Sequence, residues 1–414
     1  MRRGSWYSTL AVLLCILTLL AGWWSKARCL NDGGWEAGEE YFAWCYTDIF
    51  PLWTAERLDV GAVPYLDHPV EYPVLTGAQM WVGQQVAEAF DPELRSRAFF
   101  HATAVSNALL SLGVLGLLAV AGVPARRLLW WPLAPALAVY AFLNWDPLAV
   151  LLLTAAVVAH LRDRDLAAGV AAGLGVAAKL IPGVVIPVII AARLAQGRRR
   201  DALLHGAGAT LAWLAVNLPV ILVAPDGWLR FFTLNRERGA NFDSLWYLAE
   251  RVRGAAFSVS RLNLGSAALL LGLTAVIVVV GARRRDPSQW WSLALPILVA
   301  FVLTNKVYSP QYSLWLLPLA VLSLRNLAPY AAFLVSDLLL FLIEFPFLGG
   351  LTGGSPAPGY DLFAAALLVR AAVLVWLLVA STLGHDASLT ARPPTSPQPV
   401  AAMASPQRVR STPA

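Results

Sequence analysis

The sequence predicts an all-α, polytopic membrane protein with about 12 transmembrane helices and a long first extracytoplasmic loop. Three observations predict it. Of its 414 residues, 58% are hydrophobic and only 14% are charged, where soluble domains run near roughly 45–50% and 25%. The mean hydropathy is +0.62. Apolar blocks of roughly 18–22 residues recur from end to end, long enough to cross a hydrocarbon core about 30 Å thick. The blocks are continuous rather than alternating, which excludes a β-barrel. A soluble enzyme, a nucleic-acid module and a disulfide scaffold are set aside on the same grounds. The net charge of +6 reads as a positive-inside signal, because the basic residues cluster in short loops: Arg2 and Arg3, Arg198 to Arg200, and Arg283 to Arg285.

Residues 1–24 resemble a signal peptide, but the run ends in Trp23 and Trp24, which suit a membrane interface better than a cleavage site. They read as an uncleaved first span with a cytoplasmic N-terminus. Residues 25–73 follow as a polar, aromatic and acidic loop of net charge −6, which includes Asp32 and Glu36. Its sign opposes that of the whole chain, so it belongs on the face opposite the arginine clusters. Its length is unusual for a connector, and long loops are usually functional. Within it, Asp48 to Leu58 suits a short interfacial helix with Ile49, Leu52, Trp53 and Leu58 toward lipid. Cys29 and Cys45 share the loop and can pair if it faces an oxidising space; Cys15 lies in the first span.

Further spans fall near 74–90, 98–121, 128–143, 145–161, 166–179, 180–195, 202–224, 263–282, 289–304, 310–324, 327–346 and 360–381. Counted with the first they number 13, which conflicts with an inside C-terminus. One segment, 74–90 or 128–143, must therefore be re-entrant or interfacial. A second outside loop spans 225–262, and a third runs from Asn305 to Tyr312. The membrane domain is thus 1–384. Residues 385–414, rich in Pro, Ser, Thr and Ala, read as a disordered cytoplasmic tail.

The polar residues of interest gather on one expected face, at span ends or in outside loops. A site at a membrane surface suits a lipid-linked substrate. Asp48, in Tyr46-Thr47-Asp48-Ile49-Phe50-Pro51, is a candidate general base, because partial desolvation tunes a carboxylate. It is equally placed to cap a helix. Tyr65, His68, Glu71 and Tyr72 belong to a proline-stiffened stretch suited to a sugar-binding wall. His68 has no Cys or His partner at zinc spacing, and no metal site is expected. Lys179 ends an apolar run, where a lysine either snorkels or, buried, contacts a phosphate. Lys306, Tyr308, Gln311 and Tyr312 pair a cation with hydrogen-bonding aromatics, or else anchor the chain at an interface. Arg236 and Arg238, near Asn241, offer guanidinium groups suited to phosphate.

In order, these features resemble glycosyltransferase family 87. The likeness rests on Cys45-Tyr46-Thr47-Asp48, on Gly61-Ala62-Val63-Pro64-Tyr65 and on Glu71-Tyr72-Pro73 in the first loop. It continues in Gly175 to Pro182, in Asn241-Phe242-Asp243-Ser244, and in Asn305-Lys306 through Gln311-Tyr312, and it covers most of residues 5–380. The resemblance implies a GT-C-like fold. It also implies a polyprenyl phosphate donor, typically mannose in actinobacteria, and a glycolipid or cell-envelope acceptor. Transfer would invert the anomeric carbon, on the extracytoplasmic face of the plasma membrane. Asp48 matches the aspartate that acts as base in the family. Phe242-Asp243 departs from the single Gln often found there. Such a site needs no cofactor, and no Asp-x-Asp occurs in the long outside loops. An arabinosyltransferase using polyprenyl phosphoarabinose is an alternative within the family. A transporter would place charges in span centres, where Arg, Asp and Glu read as nearly absent; a flippase or cell-wall assembly scaffold is a further reading.

Overall fold

The computed structural model describes residues 2–30, 35, 38–353 and 356–384. The expected tail, 385–414, lies outside the described residues, as do Asp32 and Glu36 of the acidic loop. In chain order the α-helices are α1 (Arg2–Ala27), α2 (Glu39–Phe42), α3 (Ile49–Ala55), α4 (Val74–Ala87), α5 (Arg95–Val120), α6 (Ala125–Leu128), α7 (Pro135–Tyr140), α8 (Asp146–Leu161) and α9 (Asp165–Ala178). They continue as α10 (Val185–Ala195), α11 (Arg199–Val223), α12 (Pro225–Glu237), α13 (Leu245–Arg253), α14 (Val259–Arg283), α15 (Ala294–Thr304), α16 (Ser313–Ser323), α17 (Ala328–Leu351) and α18 (Tyr360–Leu383). No β-strand forms among the described residues; one isolated bridge joins Pro64 and His68.

Seven helices among the described residues are long and apolar enough to cross a membrane: Trp6–Ala27, Pro92–Val120, Arg199–Val223, Val259–Arg283, Pro287–Thr304, Ala328–Leu351 and Tyr360–Leu383. Each coincides with an expected span. The expected spans at 74–90, 145–161, 166–179, 180–195 and 310–324 are helices of 11–16 residues, shorter than the roughly 20 a bilayer needs. The segment 128–143 is not a continuous helix. Pro132 and Pro135 break it into α6, turns and α7, although Trp131, Leu137 and Tyr140 are fully buried.

Position in the bundle follows from apolar distribution. Every residue of α16 is buried, as expected of a helix apolar all round. By contrast α11 and α14 turn Leu203, Leu211, Leu222, Leu264 and Leu271 outward, the surface a lipid solvent accepts. Helices α9 and α11 pack backbone to backbone. A Cβ on Gly169 would lie 2.1 Å from the His205 carbonyl oxygen, and one on Gly173 2.1 Å from that of Ala209.

Two expectations are corrected. Ile49, Trp53 and Leu58 face the core rather than lipid, at 0%, 6% and 1% exposure, and Leu52 packs partly buried against them. The reason is that α3 lies against α5, where Trp53 meets the Phe99 ring at 5.0 Å. Nor are span interiors free of charge. Asp337 and Glu344 in α17 and Arg370 in α18 are all buried. Arg370 stands within 3.6 Å of Asp243 and Asp337, which offsets part of the cost of burying them.

Candidate active site

The first loop begins at a disulfide between Cys29 and Cys45, with their Cα atoms 6.1 Å apart. Buried Lys26, at the end of α1, donates to the Trp44 carbonyl at 3.1 Å, so both sides of the bridge are fixed to the first span. Immediately after it, Thr47 is anchored to the segment before α8: its hydroxyl donates to the Phe142 carbonyl at 2.7 Å, and the Asp48 N–H donates to that of Leu143 at 2.8 Å.

Asp48 stands at the N-cap position of α3 but makes no capping bond with its side chain. The hydroxyl of Thr47 accepts from the Ile49 N–H instead, at 3.2 Å. The Asp48 carboxylate is therefore free for other partners. Tyr46 donates to Oδ1 at 2.9 Å and Asn144 to Oδ2 at 3.0 Å. The Asn144 amide also donates to the Tyr72 hydroxyl at 2.8 Å. Asn107 of α5 holds this turn by donating to the carbonyls of Ala141 and Asn144, at 3.0 and 2.8 Å. Burial pushes the Asp48 carboxyl above the ordinary aspartate range, while the bonds from Tyr46 and Asn144 and the charge of Lys179 pull it partly back. The result is a proton acceptor stronger than a solvated carboxylate yet held in one orientation.

Lys179 follows α9 in extended conformation. A Cβ on Gly175 would lie 2.5 Å from the Pro182 side chain, so the glycine lets the proline turn pack beneath the lysine. The ammonium does not snorkel. It pairs with fully buried Asp146 at 2.7 Å and lies 5.5–5.7 Å from the ring centroids of Tyr72, Tyr312 and Trp315. The Trp315 indole donates to the other Asp146 oxygen at 2.6 Å.

These groups line one cavity of about 460 Å³. Its walls come from all three loops expected on one face. The first loop supplies Tyr46, Asp48, Glu71 and Tyr72, the second Arg238 and Asn241, and the third Gln311 and Tyr312; Asn144, Lys179 and Glu344 complete it. Burial raises the Glu71 carboxyl, Arg238 opposes this, and Asp48 reinforces it. A second space of about 700 Å³ adjoins the first, sharing Lys179, Phe231, Asn235 and Tyr312 with it. Its walls are mainly apolar: Leu180, Ile181 and Val184 on one side, Ala267, Leu270 and Leu271 of α14 on the other. Arg236 and Lys306 lie at its edge. Lys306 donates to the Arg236 and Arg238 carbonyls at 3.3 and 2.6 Å, closing the end of α12. Burial and the neighbouring Arg238 lower its pKa.

Of the candidates named from the sequence, Asp48, Glu71, Tyr72, Lys179, Asn241, Gln311 and Tyr312 meet in the cavity, and Arg236 and Lys306 in the groove. Three stand outside both. Tyr65 is wedged in the loop base, its hydroxyl donating to the Tyr72 carbonyl at 2.9 Å. His68 faces Glu56 at 3.5 Å. Tyr308 is buried beneath the Arg370 guanidinium, 4.0 Å from its ring centroid. Asn144 and Asp146 were not among the sequence candidates, although two polar residues in Asn144-Trp145-Asp146-Pro147 between apolar segments were a usable signal. Nor was Glu344 named, one of two carboxylates, with Asp337, in an apolar block. Among the described residues no three His, Cys, Asp or Glu side chains group as metal ligands.

The family model for glycosyltransferase family 87 matches residues 94–305, just over half of the chain. That stretch includes Asn144, Lys179, Arg238 and Asn241; Asp48 and Glu71 precede it, and Gln311, Tyr312 and Glu344 follow. No curated protein matches the chain. Among solved structures it is similar to the apo crystal structure of the Archaeoglobus fulgidus oligosaccharyltransferase, with 13% identity and a TM-score of 0.39. That similarity covers 91% of this chain and 56% of the other, so the chain spans little more than half the length of that protein.

Proposed function

The chain belongs to glycosyltransferase family 87, and from that premise we propose that it moves a sugar, mannose in the first instance, from a polyprenyl phosphate to a glycolipid or cell-envelope glycan. The site faces the extracytoplasmic side of the plasma membrane. One observation carries the reading: a polar cavity holding Asp48 opens into an apolar groove, with a partly buried lysine, paired to buried Asp146, where they meet. A sugar on a long isoprenoid chain has the same division, with a phosphate between its two parts.

In this mechanism Asp48 takes the proton of the acceptor hydroxyl as that oxygen forms its bond to the anomeric carbon. The bond from that carbon to the phosphate oxygen breaks on the opposite face, so configuration inverts. The polyprenyl phosphate leaves with the electron pair. Lys179 and Arg238 stabilise the charge that develops on it, and the apolar groove holds the chain.

The test is transfer in membranes of a host lacking related enzymes, supplied with labelled polyprenyl phosphomannose and mixed actinobacterial glycolipids. Wild type should label a glycolipid, and Asp48→Asn should lower the rate by about 10²–10⁴-fold, the range for loss of a general base. Undiminished transfer by the variant would remove Asp48 from the role of base and leave Glu71 to be tested. Transfer from polyprenyl phosphoarabinose alone would replace the sugar. The absence of either transfer, with the protein expressed, would favour transport.

A further inference from the structure

Glu344 is 2% exposed and yet lines the cavity. Its neighbours are an unusual set. Asp243 faces it from the turn before α13, Asp337 lies two helical turns earlier on α17, and Arg370 reaches in from α18. The single guanidinium is already engaged: Arg370 stands 3.4 Å from Asp243 Oδ1 and 3.6 Å from Asp337 Oδ1. It also donates to the Asp243 backbone carbonyl at 3.2 Å. Asp337 is further satisfied by the Ser313 hydroxyl at 2.7 Å.

Three buried carboxyls thus share one cation. Ionised together they would leave two uncompensated negative charges on buried side chains, a cost of several kcal/mol per ion. Glu344 is the one of the three without an ion-pair partner among the described residues, and its Oε2, like both Asp243 carboxylate oxygens, is buried with no hydrogen-bond donor. Two carboxyls facing each other are both acceptors unless one holds a proton, and then they bond.

We propose that Glu344 is neutral, donates its O–H to Asp243, and uses its other oxygen to accept a hydrogen bond from a sugar hydroxyl in the cavity. Glu344 is then a specificity-determining residue of the same site, and this role rests on the glycosyltransferase reading above. The Asp243–Glu344 bond joins the turn carrying Asn241 to α17, so the oxygen offered to the sugar is fixed in place. A proton held here also keeps a second negative charge away from Asp48 and from a phosphate.

The experiment uses the full chain in lipid nanodiscs as wild type, Glu344→Gln and Glu344→Ala. Infrared spectra at neutral pH should contain the carbonyl stretch of a protonated carboxyl that Glu344→Gln removes. Binding of polyprenyl phosphomannose is then compared with that of its singly deoxygenated sugar analogues. One analogue should bind wild type about tenfold more weakly than the parent, the scale of one lost hydrogen bond. Glutamine keeps an N–H for Asp243 and an oxygen for the sugar, so Glu344→Gln should preserve this discrimination. Glu344→Ala should bind parent and analogue alike. The proposal is overturned if no such infrared band exists, if the glutamine variant behaves like the alanine variant, or if alanine still discriminates. If wild type binds no polyprenyl phosphosugar, the glycosyltransferase reading fails and the sugar contact fails with it, while the infrared band alone decides the shared proton.

Discussion

Asp48 and Asn144 act as a pair whose parts lie 96 residues apart. The carboxylate must be ionised to accept a proton, so transfer falls as pH falls through its pKa, which burial raises. The Asn144 amide bonds the charged form at 3.0 Å and therefore lowers that pKa. Asn144→Ala should move the acid limb of the pH–rate profile to higher pH and slow transfer at neutral pH about tenfold, as one oriented bond to a charged group is removed. A kcat profile from pH 5 to 8 checks it; an unmoved limb would mean that Asn144 serves only the Tyr72 hydroxyl.

At the scale of elements, the first loop is held by bonds that respond to pH differently from Asp48 and Asn144. Glu56, after α3, accepts the Glu71 N–H at 3.2 Å, and burial pushes its carboxyl up to about 7. The folded state therefore keeps a proton that the unfolded chain releases near 4.5. This contributes stability below that value, and it is lost as pH rises toward 7. Glu56→Gln, which cannot ionise, should raise Tm by a few degrees at pH 8 and leave it nearly unchanged at pH 4. Thermal unfolding of the detergent-solubilised chain measures both, and an equal shift at the two values would assign the effect to packing instead.

For the molecule as a whole, the groove and the cavity are separate in chemistry but continuous in space. Ala267 of α14 lines the groove and is not among the residues lining the polar cavity. Ala267→Trp would fill part of the groove proposed to hold the isoprenoid chain and leave Lys179 and Asp48 unsubstituted. KM for a long-chain polyprenyl phosphomannose should rise roughly tenfold, in line with about 0.8 kcal/mol for each displaced methylene. KM for a donor of one or two isoprene units should stay within about twofold of wild type. Equal losses with both donors would place the chain elsewhere on the bundle.

The apolar blocks, the acidic sign of the first loop and Asp48 itself were legible because each is local. Hydropathy over about 20 residues, net charge over one loop and residue type at one position need no knowledge of neighbours. By itself the sequence therefore determined a helical membrane protein whose polar investment gathers on one face, and the resemblance in its loop motifs pointed to the family. Packing decided the rest. The length of a short helix such as α16 does not reveal that all its sides are buried. The apolar positions of α3 suit lipid as well as they suit α5, and only tertiary contact chose the core. Tyr65, His68 and Tyr308 have the residue types of a binding wall, but the fold turns them toward structural partners. Asn144, Asp146 and Glu344 lie in or beside apolar runs, where a lone polar residue has no sequence partner to announce it. Their roles come from groups brought close across the bundle, Asn144 to Asp48, Lys179 to Asp146 and Asp243 to Glu344. Buried polar groups take their meaning from what compensates them, and that is fixed only when the chain is folded.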